Sequence, residues 1–267
     1  SSSLEMKLVK GAFFSFLLVV LSVALYQNRN RFLYYLGFKS NNPVLLNAKD
    51  RAVHDVHINS ILKNYSNKTI GIDVSEYQEH IDWHVPKKLQ ESFEIDFVIS
   101  RATAGKNKVD ARFKHNWNTT KGKYIRGAYH YYRPNENSIA QAENFIKTVR
   151  LTKGDLPPIL DIEKLPKTQS MDSLKVGLRR WLVKVEEHYK VKPIIYSGES
   201  YYSDFLKEEF SEYPFWIANY NFWKKEVHRD WWFWQFTEKA QVSGIKGLVD
   251  VNIYDGLKVE LLEKCVK

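Results

Sequence analysis

The stretch Leu156-Pro157-Pro158-Ile159-Leu160-Asp161-Ile162-Glu163 runs from an apolar segment into two carboxylates separated by a single residue. In an extended strand, residues two apart leave the same face, with Cα atoms about 6.6 Å apart. Asp161 and Glu163 therefore address one space from one strand. Two flanking segments echo the pattern. Gly71-Ile72-Asp73-Val74-Ser75 near the beginning and Val249-Asp250-Val251-Asn252 near the end each carry an Asp at or near the tip of a short apolar run.

From Thr69 onward, short strand-like runs alternate with helix-like ones. Strands are expected at 69–74, 96–102, 124–130, 157–162, 192–197, 214–219, 231–236 and 248–253, and helices at 82–92, 110–121, 138–152, 172–190 and 199–209. Ser138 followed by Gln141 is a capping-box start. Leu174, Leu178, Trp181, Leu182 and Val185 recur at helical spacing. Only about a dozen residues separate each of the last three strands from the next, without helical period, so some of these strands are expected to be antiparallel. The expected fold class is α/β, a modified TIM-like barrel of eight strands and five helices, (β/α)5(β)3. An open doubly wound sheet is the alternative, but no Gly-rich nucleotide loop follows a strand.

Length and composition fit this picture. The 267 residues, 44% hydrophobic, suit one barrel domain plus a leader. A net charge of +9 raises nucleic acid as a partner. The basic residues are scattered, however, and no nucleic-acid-binding signature is present, so a solvated or wall-attracted surface is expected. The single cysteine, Cys265, excludes an intrachain disulfide. Residues 1–5 resemble a cloning remnant. Residues 6–36 read as a signal peptide or a membrane anchor, because Lys7 and Lys10 precede the apolar run 11–26, about 24 Å long as a helix. Residues 37–68 read as a linker, and 69–267 as the barrel. Export to the cell envelope or beyond is expected in either case, with the chain a monomer.

Barrel enzymes place their sites at the carboxyl ends of the strands. Asp73, Asp161, Glu163 and Asp250 all fall at or near such ends, and the first and last strands adjoin on closure. A lone Asp there commonly caps a helix or pairs in a loop. Two inward carboxyls on one strand cost desolvation without a use. Glycosidic-bond cleavage supplies the use, since it asks for a paired acid and anion. Glu163, nearer the mouth, is the candidate general acid. Asp161, deeper, is the candidate anion, with Asp73 and Asp250 orienting the pair. Tyr129, Tyr196 and Gln235 are candidate hydrogen-bonding groups. Four carboxylates also suit Mg²⁺ or Ca²⁺, but no HExxH or EF-hand loop occurs. No metal or cofactor is expected, and His130 reads as a packed barrel residue.

Eight segments in order carry a family resemblance: Gly71 to Gln78 with Ile81-Asp82-Trp83, Phe97 to Thr103, Gly127 to Tyr131, Pro158 to Glu163, Pro193 to Ser197, Phe215 to Tyr220, Trp234 to Thr237 and Val249 to Asn252. Over Thr69 to about Tyr254 the chain resembles the glycoside hydrolase family 25 lysozymes, the Chalaropsis-type N-acetylmuramidases. The resemblance implies an eight-stranded barrel that cleaves the β-1,4 bond between N-acetylmuramic acid and N-acetylglucosamine in peptidoglycan. It implies Glu163 as acid, Asp161 as nucleophile or stabiliser, and Asp73 and Asp250 in the catalytic cluster. Tyr129, Tyr196, Trp216, Tyr220 and Trp234 would line the sugar groove. One departure is visible, Thr103-Ala104-Gly105 where many relatives carry Thr-Glu-Gly. The alternative function is a catalytically silent glycan-binding barrel.

Overall fold

In the computed structural model, residues 48–224 and 226–267 are described, within the unit Leu46–Lys267. The apolar run 11–26 lies outside them. Among the described residues there are six α-helices, and eight strands close into a barrel. The barrel strands are β1 (Thr69–Val74), β2 (Phe97–Ala104), β4 (Ile125–Tyr131), β5 (Ile159–Asp161), β6 (Ile194–Gly198), β7 (Phe215–Ala218), β8 (Trp231–Ala240) and β9 (Val249–Tyr254). A short β3 (Lys108–Val109) folds back on the end of β2 outside the ring. Closure comes from β1, which pairs parallel with β2 and antiparallel with β9. Neighbours run parallel from β1 through to β8, and β9 alone is reversed. The expected antiparallel character of the final strands is thus confined to one of them.

Alternation sorts each strand into an inner and an outer set. Phe97, Ile159, Ile194, Phe233 and Tyr254 fill the lower half of the interior in one apolar cluster. Gly71 is required at this level, because a Cβ there would lie 2.3 Å from the Phe97 ring. Two registers higher, the inward positions turn polar: Asp73, Tyr129, Asp161, Tyr196, Gln235 and Asn252. The base is closed by α6 (Lys258–Lys264), whose Leu261 joins the apolar cluster together with Cys265 just beyond it. Burial pushes the Cys265 thiol up to about 11, which keeps it protonated at neutral pH.

The outer layer corrects several expectations. Helices α2 (Phe113–Thr119), α3 (Ser138–Thr148) and α4 (Met171–Tyr189) fall where expected, and α5 (Glu199–Tyr201) passes at once into a π turn (Tyr202–Leu206). The segment 82–92 is not helical. Pro86 lacks an amide hydrogen and disfavours helix in the residue before it, and the segment is instead pinned to the β8–β9 loop by Leu89 and by Lys88 N bonding Ser243 Oγ at 2.8 Å. The stretch read as a linker contains α1 (Ala48–Asn64), whose Ile58, Ile61 and Leu62 are buried. No helix connects β8 to β9, and α1 covers β8 in its place, with the Tyr65 ring against Trp234.

His130 points outward from β4 into the contact with α3 and α4, stacked on Trp181. The Gln141 amide donates to the carbonyls of Arg133 and Glu136, so its oxygen must accept from His130 Nε2, at 3.1 Å. Nδ1 then accepts from the Thr103 hydroxyl at 2.7 Å. It is a packed neutral ring, and burial lowers its pKa to about 4. The unfolded chain takes up this proton near pH 6.5, so the stability that the neutral ring contributes is lost as the pH falls from there towards 4. Urea unfolding of the parent and of His130→Asn is expected to show their stability difference narrowing by about 2 kcal/mol between pH 7 and 4.5.

Candidate functional site

The end of β5 is held so that Asp161 and Glu163 share a face. Asp161 is the last residue of the strand, between Tyr131 on β4 and Tyr196 on β6. The hydrogen bonding continues past it: Ile162 N donates to Tyr196 O at 3.0 Å, and Ser197 Oγ donates to Ile162 O at 2.6 Å. With Ile162 fixed and buried on the outside, Glu163 returns to the inner face two residues beyond Asp161. Burial raises the pKa values of the Tyr131 and Tyr196 phenols, and the charges of Asp161 and Glu163 add to the rise. Asp161 is buried and Glu163 is partly open to solvent, in the order of depth that the sequence suggests.

Asp73 anchors the opposite wall. Its Oδ2 accepts from Asn252 Nδ2 at 2.8 Å and from Gln235 Nε2 at 2.7 Å. The direction of these bonds is fixed by chemistry. The Trp216 indole can only donate, and it donates to Asn252 Oδ1 at 2.7 Å. The Asn252 amide nitrogen must therefore face Asp73, which acts as acceptor. Gln235 then turns its oxygen away from Asp73, towards the hydroxyls of Tyr196 at 2.8 Å and of Tyr220. Both phenol protons are committed to Gln235, so towards the groove these hydroxyls offer lone pairs.

Three tyrosines sit among the acids. Burial raises the Tyr129, Tyr196 and Tyr220 pKa values well above the usual phenol range, with neighbouring carboxylates adding to the rise. Arg101, inward on β2, works against that rise at Tyr129. Tyr220 is 37% exposed although its hydroxyl reaches Gln235 inside. Asp250 pairs with Asp73 across β1 and β9. It lies at the amino end of its strand, not near a carboxyl end, and reaches the mouth because β9 is reversed. Trp216 lies inside the barrel, its ring 4.4 Å from that of Tyr196, and forms part of the floor. Trp234 does not join the groove. It neighbours Gln235 on β8 and so faces outward, buried under α1, with its indole bonded to Asn219 O at 2.9 Å. Sequence reasoning passed over Asn252 as a site residue, although its spacing from Asp250 places both on one face.

The barrel agrees with comparisons to known proteins. The profile of glycosyl hydrolases family 25 matches residues 72–245. The chain belongs to glycosyl hydrolase family 25. It is 39% identical over 196 residues to YegX of Escherichia coli K12, covering 72% of this chain and 71% of that one. Lysozyme M1 of Streptomyces globisporus is 33% identical over 208 residues, 72% of this chain and 69% of the relative. A family 25 glycosyl hydrolase from Bacillus anthracis superposes with a TM-score of 0.66 at 28% identity, over 75% of this chain and 94% of that one. A Streptomyces coelicolor lysozyme gives 0.65 at 28% identity, over 74% and 97%. The chain is thus a glycoside hydrolase by family.

The family 25 barrel described above makes a specific demand at Asn252. Asn252→Asp would set a second carboxylate against Asp73 in a buried site, and repulsion would raise the affinity of the pair for a proton. Thermal unfolding is expected to show a loss of about 1–3 kcal/mol at pH 7, and the deficit is expected to shrink as the pH falls towards 5 and a proton relieves the repulsion.

Proposed function

We propose that the chain hydrolyses the β-1,4 bond between N-acetylmuramic acid and N-acetylglucosamine in peptidoglycan, with Glu163 as general acid and Asp161 as its anionic partner. The observation that carries this reading is the pair itself: Asp161, buried, ends β5, and Glu163, two residues beyond it, is partly open to solvent. Lysozyme M1, a relative by sequence, bears a name that fits it. Tyr129, Tyr196, Tyr220 and Gln235 would contact the sugar, Trp216 would support them, and Asp73 and Asp250 would orient the acidic cluster.

In the mechanism that we favour, the acetamido oxygen of the substrate attacks the anomeric carbon. The C1–O bond to the leaving sugar breaks, and the leaving oxygen takes the proton of Glu163. Asp161 stabilises the positive charge of the resulting oxazolinium. A water then attacks C1, its proton goes to the Glu163 carboxylate, and the ring opens. Alternatively Asp161 itself attacks C1 and is released by water in the same way. Trapping of a glycosyl-Asp161 adduct in mass spectrometry would establish this second route and exclude the first.

The substrate sets the work of the protein in the cell wall, as a monomeric barrel from Thr69 onward, reached by export or tethering through residues 6–36. Among the described residues no helix is long and apolar enough to cross a membrane. Glu163→Gln is expected to lose lytic activity on wall preparations by about 10²- to 10⁴-fold, the range of a lost general acid, with little change in thermal stability. Products of the parent should carry muramic acid at their new reducing ends. Glucosamine at those ends would overturn the bond assignment, and full lysis by Glu163→Gln would overturn the assignment of the acid.

A further inference from the structure

Tyr77 stands on the 3-10 turn Glu76–Gln78, directly after β1 at the mouth of the barrel. The residue is 76% exposed. Single exposed rings are common and need no explanation. What distinguishes this one is the polar structure that holds it in place. Gln78 Oε1 accepts from Ser75 N at 2.9 Å, Ser75 Oγ accepts from Tyr77 N at 3.4 Å, and Gln78 Nε2 donates to Leu248 O at 3.3 Å. Glu76 N donates to Asp110 Oδ2 at 3.0 Å. The Glu76 carboxylate receives Arg101 Nη2 at 2.8 Å, Ala111 N at 3.3 Å and the Lys108 ammonium. Arg101 also binds Asp110 through Nε at 2.8 Å, and both residues are buried.

A partly buried ion cluster of this kind adds little net stability, because desolvation of its buried members offsets much of the Coulomb gain. Its visible effect is geometric. The Arg101 guanidinium lies 4.9 Å from the centre of the Tyr77 ring. One face of the ring thus rests on a fixed cation, while most of its surface remains open to solvent. The same cluster touches the acidic site. Arg101 stands opposite Tyr129, an inward residue of β4, in the pairing of β2 with β4. Tyr77 follows Asp73 by four residues, on the turn directly beyond the carboxyl end of β1. The ring therefore belongs to the rim beside the acidic cluster and not to a remote surface.

We propose that Tyr77 is a stacking platform for a pyranose ring of the glycan strand, a saccharide subsite outside the one in which the bond is cut. Arg101, Glu76 and Asp110 are its positioning residues. The inference rests on the muramidase reading and extends it to substrate length. A flat ring held in advance loses little freedom when a sugar packs its C–H face against it. Only a strand long enough to reach the rim gains from that contact, so the platform favours polymer over short fragments.

The test compares Tyr77→Ala and Tyr77→Phe with the parent, each as the full chain, on polymeric peptidoglycan and on a muropeptide tetrasaccharide. Tyr77→Ala is expected to lower kcat/KM on the polymer about 3- to 10-fold, the scale of one aromatic contact, mainly through KM. On the tetrasaccharide it should stay within about 2-fold, and Tyr77→Phe should stay within about 2-fold on both, since a phenyl ring stacks as well. Glu76→Ala, with the ring intact but its turn loosened, should raise KM for the polymer about 3-fold and leave kcat unchanged. Equal losses on both substrates would mean a structural role, and a Tyr77→Phe as weak as Tyr77→Ala would mean a hydroxyl contact. Either result, or no change at all, overturns the platform. If the parent releases no product, the muramidase reading fails by itself. Sedimentation with insoluble peptidoglycan then still decides the platform: weaker retention of Tyr77→Ala supports it, and equal retention removes it.

Discussion

A single anion, Asp73, sets the polarity of the barrel mouth. Two side-chain amides donate to one of its oxygens, and an indole that can only donate fixes the orientation of one of them. In a buried setting of low dielectric such bonds are strong and an unmatched partner is costly. The order therefore propagates without ambiguity through Gln235 to the hydroxyls of Tyr196 and Tyr220. A ligand entering the groove meets acceptors whose direction is settled before it arrives. Such preorganisation lowers the reorganisation that a reaction must otherwise include.

The barrel architecture explains why the acids meet. Parallel strands deliver their carboxyl ends to one face, which brings Asp73 from β1 and Asp161 from β5 to the same level. Reversal of β9 adds the amino end of one strand to that face, and with it Asp250 opposite Asp73. The same reversal removes the crossover that would have carried a helix over β8. Helix α1, from before the first strand, fills that position with Ile58, Ile61 and Leu62.

Most of this frame was legible in the amino-acid order, because buried barrel strands read as short apolar runs and their helices carry periodic stripes. All eight barrel strands lie where the runs place them, within a few residues at their ends. The failures have local causes. The apolar residues of α1 are concentrated towards its carboxyl end, so its amino half looks like a polar spacer. Residues 82–92 are long enough for a helix between two strands, but Pro86 opposes a helical backbone there. Asp161 and Glu163 were read from strand parity, Asp73 and Asp250 from their places near strand tips, and parity, applied strictly, separates Trp234 from its neighbour Gln235, since adjacent residues face opposite sides. The hydrogen-bond directions around Asp73 depend on contacts between residues up to 179 positions apart, which no local pattern encodes.

At the closed end of the barrel, Cys265 is the one thiol in the chain. Its Sγ lies 3.3 Å from Leu261 O, and it packs into the apolar cluster below the acids. Alkylating reagents can reach it only in molecules whose final helix has come away from the base. Its labelling rate in otherwise native protein is therefore a built-in clock for the opening of that end, read at a distance from the acidic face and without any engineered probe.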